Sequence, residues 1–261
     1  MNAPFKIHVA MLGCVALGAF GWSAPSWAHQ PLRFAGQDVS PWAVHEKNSN
    51  ALSGVFVDLT NALAKDAGLS VQYQLVTFAD LIPALISGKI DVIATEMAIT
   101  PTRAAQVDFS NPVYNPPKEA VVVPASDTTT YRNLADLKNM PVSVQRGSIQ
   151  LALLQKTGFT ELKVYDTVQD AWSAVASGEV KAAVTPGVDT MFAAKDGLLV
   201  NLRIVSSYKS PSPTPRVGIA VRKGSGDLLA KINCSLAKLE ADGTVKAIFT
   251  KYGVDDWAPP K

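Results

Sequence analysis

ALISGKIDVIAT (residues 84 to 95) and AVASGEVKAAVT (residues 174 to 185) carry the same grammar. Each closes a helix-patterned stretch on Ser-Gly, runs into β-branched and small apolar residues, and ends on Thr. Ala, Ser, Gly and Thr fall at matching places in the two. A helix that stops on glycine and feeds a buried strand is the repeating unit of an open α/β sheet, so a unit met twice predicts two similar α/β lobes.

The flanking sequence extends both units. Before the first stand LRFAG (32 to 36), a strand pattern, and DLTNALAKDAG, with Leu59, Ala62 and Leu63 at helical spacing and Gly68 as its stop. VQYQLV is a strand, and FADLIPALISG is a helix closed by Gly88. A bridging run, EAVVVP, leads to the second series: VSV (142 to 144), SIQLALLQKTG, LKVYD, TVQDAWSAVASG, KAAVT and the helix GVDTMFAAKDG. RVGIAVRKGS then reads as a strand, and DLLAKINCSLAKLEADG as a helix with Leu228, Leu229, Ile232, Leu236 and Leu239 apolar. A chain that leaves the first lobe at EAVVV and returns at VGIAV crosses twice, as a hinged pair of lobes requires.

At 261 residues, 48% hydrophobic and 18% charged, the chain is long enough to bury a substantial core. Lys6, the apolar run IHVAMLGCVALGAFGW and the small residues Ser26 and Ala28 fit a secretory signal peptide cleaved after Ala28, giving a mature protein from His29. Cys14 raises the alternative of a lipid-anchored cysteine, although few apolar residues precede it. Losing residues 1 to 28 removes one Lys, so 23 basic residues face 22 acidic ones, a net charge of +1. No basic cluster is present, which argues against a nucleic-acid or polybasic membrane surface. Cys234 becomes the only cysteine, expected as a small buried apolar residue, and no intramolecular disulfide can form. No later segment reaches about 18 uninterrupted apolar residues. The histidines are His8, His29 and His45. No motif for a metal, a cofactor phosphate or a Ser/His/Asp set is present, so no cofactor is expected.

Ligands of open parallel sheets bind beyond the carboxyl ends of the strands, where helix N-termini offer unpaired N–H groups. The turn after VSV is Gln145-Arg146-Gly147-Ser148, with Ser148 placed to cap a helix or to meet a small anion. The turn after IDVIAT carries Thr95, Glu96 and Ala98, and Arg103 follows at the next helix start. An arginine there presents a planar fork to a ligand carboxylate or to Glu96 itself. Trp42 in SPWAV and Phe78 in TFADLIP each follow a strand of the first lobe. They read either as flat walls for a ligand or as core.

GVFVDLTNALAK, FADLIPALISGKIDVIA, ITPTRAAQVDFSNPVY, LADLKNMPVSVQRGS, VGIAVRKGSGDLL and LAKLEADGTVKAIFTKYG together closely resemble, in order and spacing, the family 3 solute-binding proteins of bacterial ABC transporters, over nearly all of residues 32 to 253. The resemblance implies an α/β, two-lobed periplasmic-binding-protein fold of type II with two hinge crossovers. Lobe 1 would comprise residues 29–118 and 213–261, and lobe 2 residues 119–212. It also implies a monomeric periplasmic receptor, a Venus flytrap that closes on a small polar ligand, an amino acid or derivative, and docks on an ABC permease at the inner membrane. In that family the aromatic clamp falls on Trp42 and Phe78, and the carboxylate-binding arginine on Arg103. The lobe-2 turn falls on Gly147, Ser148, Ile149 and Gln150, and the first-lobe loop on Thr95, Glu96 and Ala98.

The departures from the family matter as much. Pro186 stands where an aspartate usually takes the α-ammonium, Ala98 where a Ser or Thr is common, Gly36 at a common acidic position, and Glu96 where Gly or Ser is usual. Either Glu96 supplies the missing charge, with Asp189 a weaker candidate, or Glu96 neutralises Arg103 and the ligand is an organic acid without an amine. A periplasmic dehydratase acting on cyclohexadienyl substrates through Glu96, and a sensor component, are the remaining alternatives.

Overall fold

A computed structural model describes residues 30–46 and 49–254. The expected signal peptide, its cleavage site and Cys14 lie outside the described residues. Lobe 1 contains β1 (Leu32–Gly36), a short hairpin of β2 (Val44–His45) and β3 (Leu52–Ser53), α1 (Val55–Ala67), β4 (Val71–Leu75), α2 (Leu81–Ile86), β5 (Val92–Ile93), α3 (Pro101–Ala104) and β6 (Val107–Phe109). Lobe 2 contains β7 (Ala120–Pro124), β8 (Val142–Gln145), α4 (Ile149–Lys156), β9 (Leu162–Tyr165), α5 (Val168–Ala176), β10 (Ala182–Thr185), α6 (Gly187–Lys195) and β11 (Leu202–Ile204). The chain then returns through β12 (Ala220–Arg222), α7 (Gly226–Ala241) and α8 (Thr244–Lys251) to lobe 1.

The two five-stranded sheets share one plan. In lobe 1 the order is β4-β1-β5-β12-β6, and in lobe 2 it is β9-β8-β10-β7-β11. Each has three parallel strands, a fourth that runs antiparallel to them, and a fifth that is antiparallel to the fourth. The repeated stretch of sequence occupies equivalent places, α2 leading to β5 and α5 leading to β10, so the likeness of 84–95 and 174–185 is structural. The fourth strand of each sheet comes from a crossover, since β12 is contributed by the returning chain. The two crossovers also pair with each other: Val113 N donates to Val217 O at 2.7 Å and Val217 N to Tyr114 O at 3.0 Å.

Local chemistry accounts for the elements. α1 buries Phe56, Leu59 and Leu63 on one face, and Gly68 takes the left-handed conformation at φ 63° that ends it. Burying each such leucine contributes about 1.5–3 kcal/mol. On α7 the buried positions are Leu228, Ile232, Ser235, Leu236 and Leu239, which pack beneath α1 and α8. Cys234 lies about 200° round the helix from Ile232, and it is exposed and free. The expectation of a buried cysteine is therefore corrected: helical phase, not residue type, sets its environment. Strands β6 and β11 were not legible, because VDF and LRI are three-residue antiparallel edge segments with a charge in the middle or beside it. No helix among the described residues is long and apolar enough to cross a membrane.

Candidate functional site

Strand β5 is only two residues long. The backbone then folds sharply, with Met97 N donating to Thr95 O at 2.7 Å, and this turn projects Glu96 into the space between the lobes. Helix α3 begins on Thr100, whose hydroxyl accepts from Arg103 N at 3.2 Å, with Pro101 at the first helical position. That one-turn helix fixes where Arg103 starts. Across the cleft, Ser148 caps α4: its Oγ accepts from Leu151 N at 3.1 Å and donates to Gln145 O at 2.8 Å. The hydroxyl is thus committed to the cap, and the anion-binding capacity of this turn rests on the N–H groups of Ile149 and Gln150, the first two of the helix.

These elements enclose a cavity of about 580 Å³, its open mouth included. Phe78, Glu96, Ala98, Arg103, Ser148, Ile149, Gln150 and Pro186 all line it, joined by Tyr114 and Gln145. Trp42 and Thr95 do not. Trp42 is fully buried one layer back, its ring 5.0 Å from that of Tyr114 and 5.8 Å from Phe56. Tyr114 therefore presents the aromatic wall expected of Trp42. The polar edge of Trp42 explains its position, since Nε1 donates to Asp189 Oδ1 at 2.8 Å, a buried bond from lobe 1 to lobe 2. Thr95 is buried with its hydroxyl unpartnered.

Arg103 reaches both lobes. Nη1 donates to Ala98 O at 2.9 Å and Nη2 to Gly147 O at 3.0 Å, while the guanidinium lies 5.3 Å over the Phe78 ring. Gly147 is at φ 72°, a conformation that favours glycine, and a Cβ there would stand 3.3 Å from the backbone of Ala79 in the other lobe. Burial pulls Arg103 down to about 10, with Glu96 acting the other way, so it remains a cation at neutral pH. Its donors go to carbonyls and no carboxylate forms an ion pair with it among the described residues, so Glu96 does not neutralise it by direct contact.

Glu96 instead faces Asp189. Gln37 Nε2 donates to Glu96 Oε1, and Gln37 Oε1 accepts from Gln145 Nε2 at 2.8 Å, linking the lobes a second time. Burial pushes Glu96 well above the ordinary carboxylate value, with Asp189 adding to it through charge and a hydrogen bond. Burial also pushes Asp189 up to about 6, while the hydrogen bond with Glu96 pulls it back. Two buried carboxylates this close cannot both ionise, so the pair holds one proton. Without that proton Asp189 Oδ2 has no hydrogen-bond partner, and neither does the Tyr114 hydroxyl.

Sequence reasoning ranked Asp189 below Glu96 and overlooked Tyr114, Gln37 and Gln145. Tyr114 stood in the quoted motif ITPTRAAQVDFSNPVY and Gln145 opened the quoted turn, so strand-end position was a usable signal for both. Gln37 carried none. Trp42→Phe, which removes the donor to Asp189 and leaves a void, is expected to lower stability by about 2–4 kcal/mol in urea unfolding.

Two lobes of mirrored topology, joined by paired crossovers around a buried polar cavity, define a solute-binding protein. Residues 33–255 match the bacterial extracellular solute-binding proteins, family 3, and the chain belongs to that family. It is 32% identical over 256 residues to the L-arginine-binding protein of Pseudomonas aeruginosa, covering 94% of this chain and 95% of that one. Among solved structures, an ancestral arginine-binding protein bound to glutamine is 35% identical with a TM-score of 0.77, covering 86% of this chain and 98% of that one. A histidine kinase sensor domain with similarity to periplasmic binding proteins is 28% identical with a TM-score of 0.79, covering 89% and 99%.

Proposed function

We propose that this protein is the periplasmic receptor of an ABC importer and that it captures an α-amino acid by closure of the two lobes. One observation carries the reading: a cation, Arg103, and an acid, Glu96, face the same cavity without pairing to each other. Arg103 and the N–H groups of Ile149 and Gln150 form a donor set for a carboxylate, and Glu96, backed by the buried Asp189, forms an acceptor for an ammonium. A zwitterion satisfies both, and an organic acid lacking the amine leaves the acid pair with its proton. The relatives named above support an amino acid. Closure draws on contacts the ligand makes with both lobes at once, in addition to those already linking Trp42 to Asp189 and Arg103 to Gly147.

The test is a thermal-shift screen against α-amino acids and matched carboxylic acids without the amine. A ligand at 100 times its Kd adds about 2.7 kcal/mol of stability. Stabilisation by amino acids is expected. Stabilisation by the des-amino acids alone would overturn the proposal.

A further inference from the structure

We infer that Glu119, at the hinge end of the cavity, accepts the cationic end group of the ligand's side chain, an amine or a guanidinium. This rests on the amino-acid reading above and names the class within it. Glu119 precedes β7, at the edge of the lobe-2 sheet where Gln145 ends β8 and Pro186 follows β10. It is 8% exposed and lines the same cavity as Arg103 and Glu96.

Its surroundings set the direction of its free oxygen. Oε1 accepts from the Tyr208 hydroxyl at 2.9 Å and from Ser210 Oγ at 2.6 Å, both on the returning crossover. Ser210 Oγ is held in turn by Ser212 N at 3.1 Å. Two hydroxyl donors on one oxygen leave Oε2 without a hydrogen bond among the described residues, yet that atom is not sealed in the interior. A buried carboxylate half-satisfied by neutral hydroxyls is costly and is completed by a cation. Lys118 does not fill that role, because it is exposed and forms no ion pair with Glu119 among the described residues.

The walls leading to Glu119 are Pro116, Pro117, Pro213 and Pro215 from the two crossovers. Proline has no N–H, so these four residues suit a methylene chain, and the polar groups beside them in the wall are Ser212 and the exposed Lys118. Carboxylate at Arg103, ammonium at Glu96, an apolar channel and then a carboxylate together describe a dibasic amino acid.

The experiment compares L-arginine with L-citrulline, and L-lysine with L-norleucine, by calorimetry on the wild-type protein and on Glu119→Gln. Gln keeps an oxygen for Tyr208 and Ser210 and removes only the charge. Wild type is expected to favour the charged member of each pair by roughly 10- to 100-fold, as a charge-assisted hydrogen bond predicts. In Glu119→Gln that preference should shrink to within about threefold, with the neutral ligands bound as before. Equal binding of charged and neutral ligands by wild type overturns the inference. So does a preference that survives in Glu119→Gln, or an equal loss of both ligands there, which would mark Glu119 as a purely structural link between the crossovers. If neither charged nor neutral α-amino acids bind, the underlying proposal fails and this one falls with it.

Discussion

Arg103→Met is expected to weaken amino-acid binding by about two to four orders of magnitude, while leaving a folded protein. The side chain it replaces is nine-tenths buried and already donates to Ala98 O and Gly147 O, so its fork is aligned before any ligand arrives. Removing one partner of a buried, hydrogen-bonded charge pair costs about 3–5 kcal/mol, which sets the size of the loss. Arg103→Lys keeps the charge and loses the fork, and it should recover only a small part of the affinity. Calorimetry on both variants decides the matter. Affinity within threefold of wild type in Arg103→Met would remove this residue as the carboxylate anchor. Because Arg103 also ties one lobe to the other through Gly147, the same variant should open more readily, seen as a larger radius in solution scattering without ligand.

The second large effect is a dependence on pH with a definite sign. Glu96 and Asp189 both have folded-state values raised above their unfolded ones, Asp189 to about 6 and Glu96 well above its ordinary range. Their contribution to the stability of the ligand-free protein is therefore fully present below about pH 4 and is lost as pH rises through 6 and beyond. Ligand binding runs the other way. An ammonium that takes the place of the shared proton forces its release, so affinity should strengthen with rising pH, by up to about tenfold per unit while the free pair still holds its proton. The groups facing the pair are the Trp42 N–H, the Gln37 amide, the Tyr114 hydroxyl and, at longer range, Arg103; none of these titrates between pH 5 and 8. In Glu96→Gln the amide donates to Asp189 without needing a proton. That variant is expected to gain about 1–3 kcal/mol of ligand-free stability at pH 8, to lose the pH dependence, and to bind amino acids at least about 100-fold more weakly. An affinity flat from pH 5 to 8 in the wild-type protein would count against proton exchange at this pair.

The two-lobed plan was legible because its evidence is redundant. The helix–glycine–strand unit occurs twice, and the parallel strands read as apolar or alternating runs closed by a turn, as in VSVQ and VQYQL. The three-residue edge strands β6 and β11 carry no such pattern. For the candidate site, strand ends pointed to loops that the structure brings together: Glu96, Ala98, Arg103 and the Ser148 turn line one cavity. What the sequence could not convey was depth. Trp42 and Tyr114 are both aromatic residues in loops, and only tertiary packing decides which faces the cavity and which stands behind it. Nor could it bring Asp189 to Glu96, since 93 residues separate them and their meeting depends on how two separately built lobes close. The Ser148 hydroxyl was half-read, because a serine before a helix serves a cap and a ligand from the same position.

The Gly36 position, which the family resemblance sets against an acidic one, is closed in this protein by a neighbour. Tyr73 sends its hydroxyl to Ala94 O directly past Gly36, and a Cβ at residue 36 would overlap that hydroxyl. Gly36→Asp alone would have to displace a half-buried, hydrogen-bonded tyrosine, whereas after Tyr73→Leu the closest remaining contact is the Ala94 carbonyl at 3.0 Å. The order of substitutions thus affects which of them is tolerated, and an acid at residue 36 requires the Tyr73 hydroxyl to move or to be given up first. Laboratory selection for altered ligand preference should therefore recover changes at 73 and 36 together, or turn to other positions.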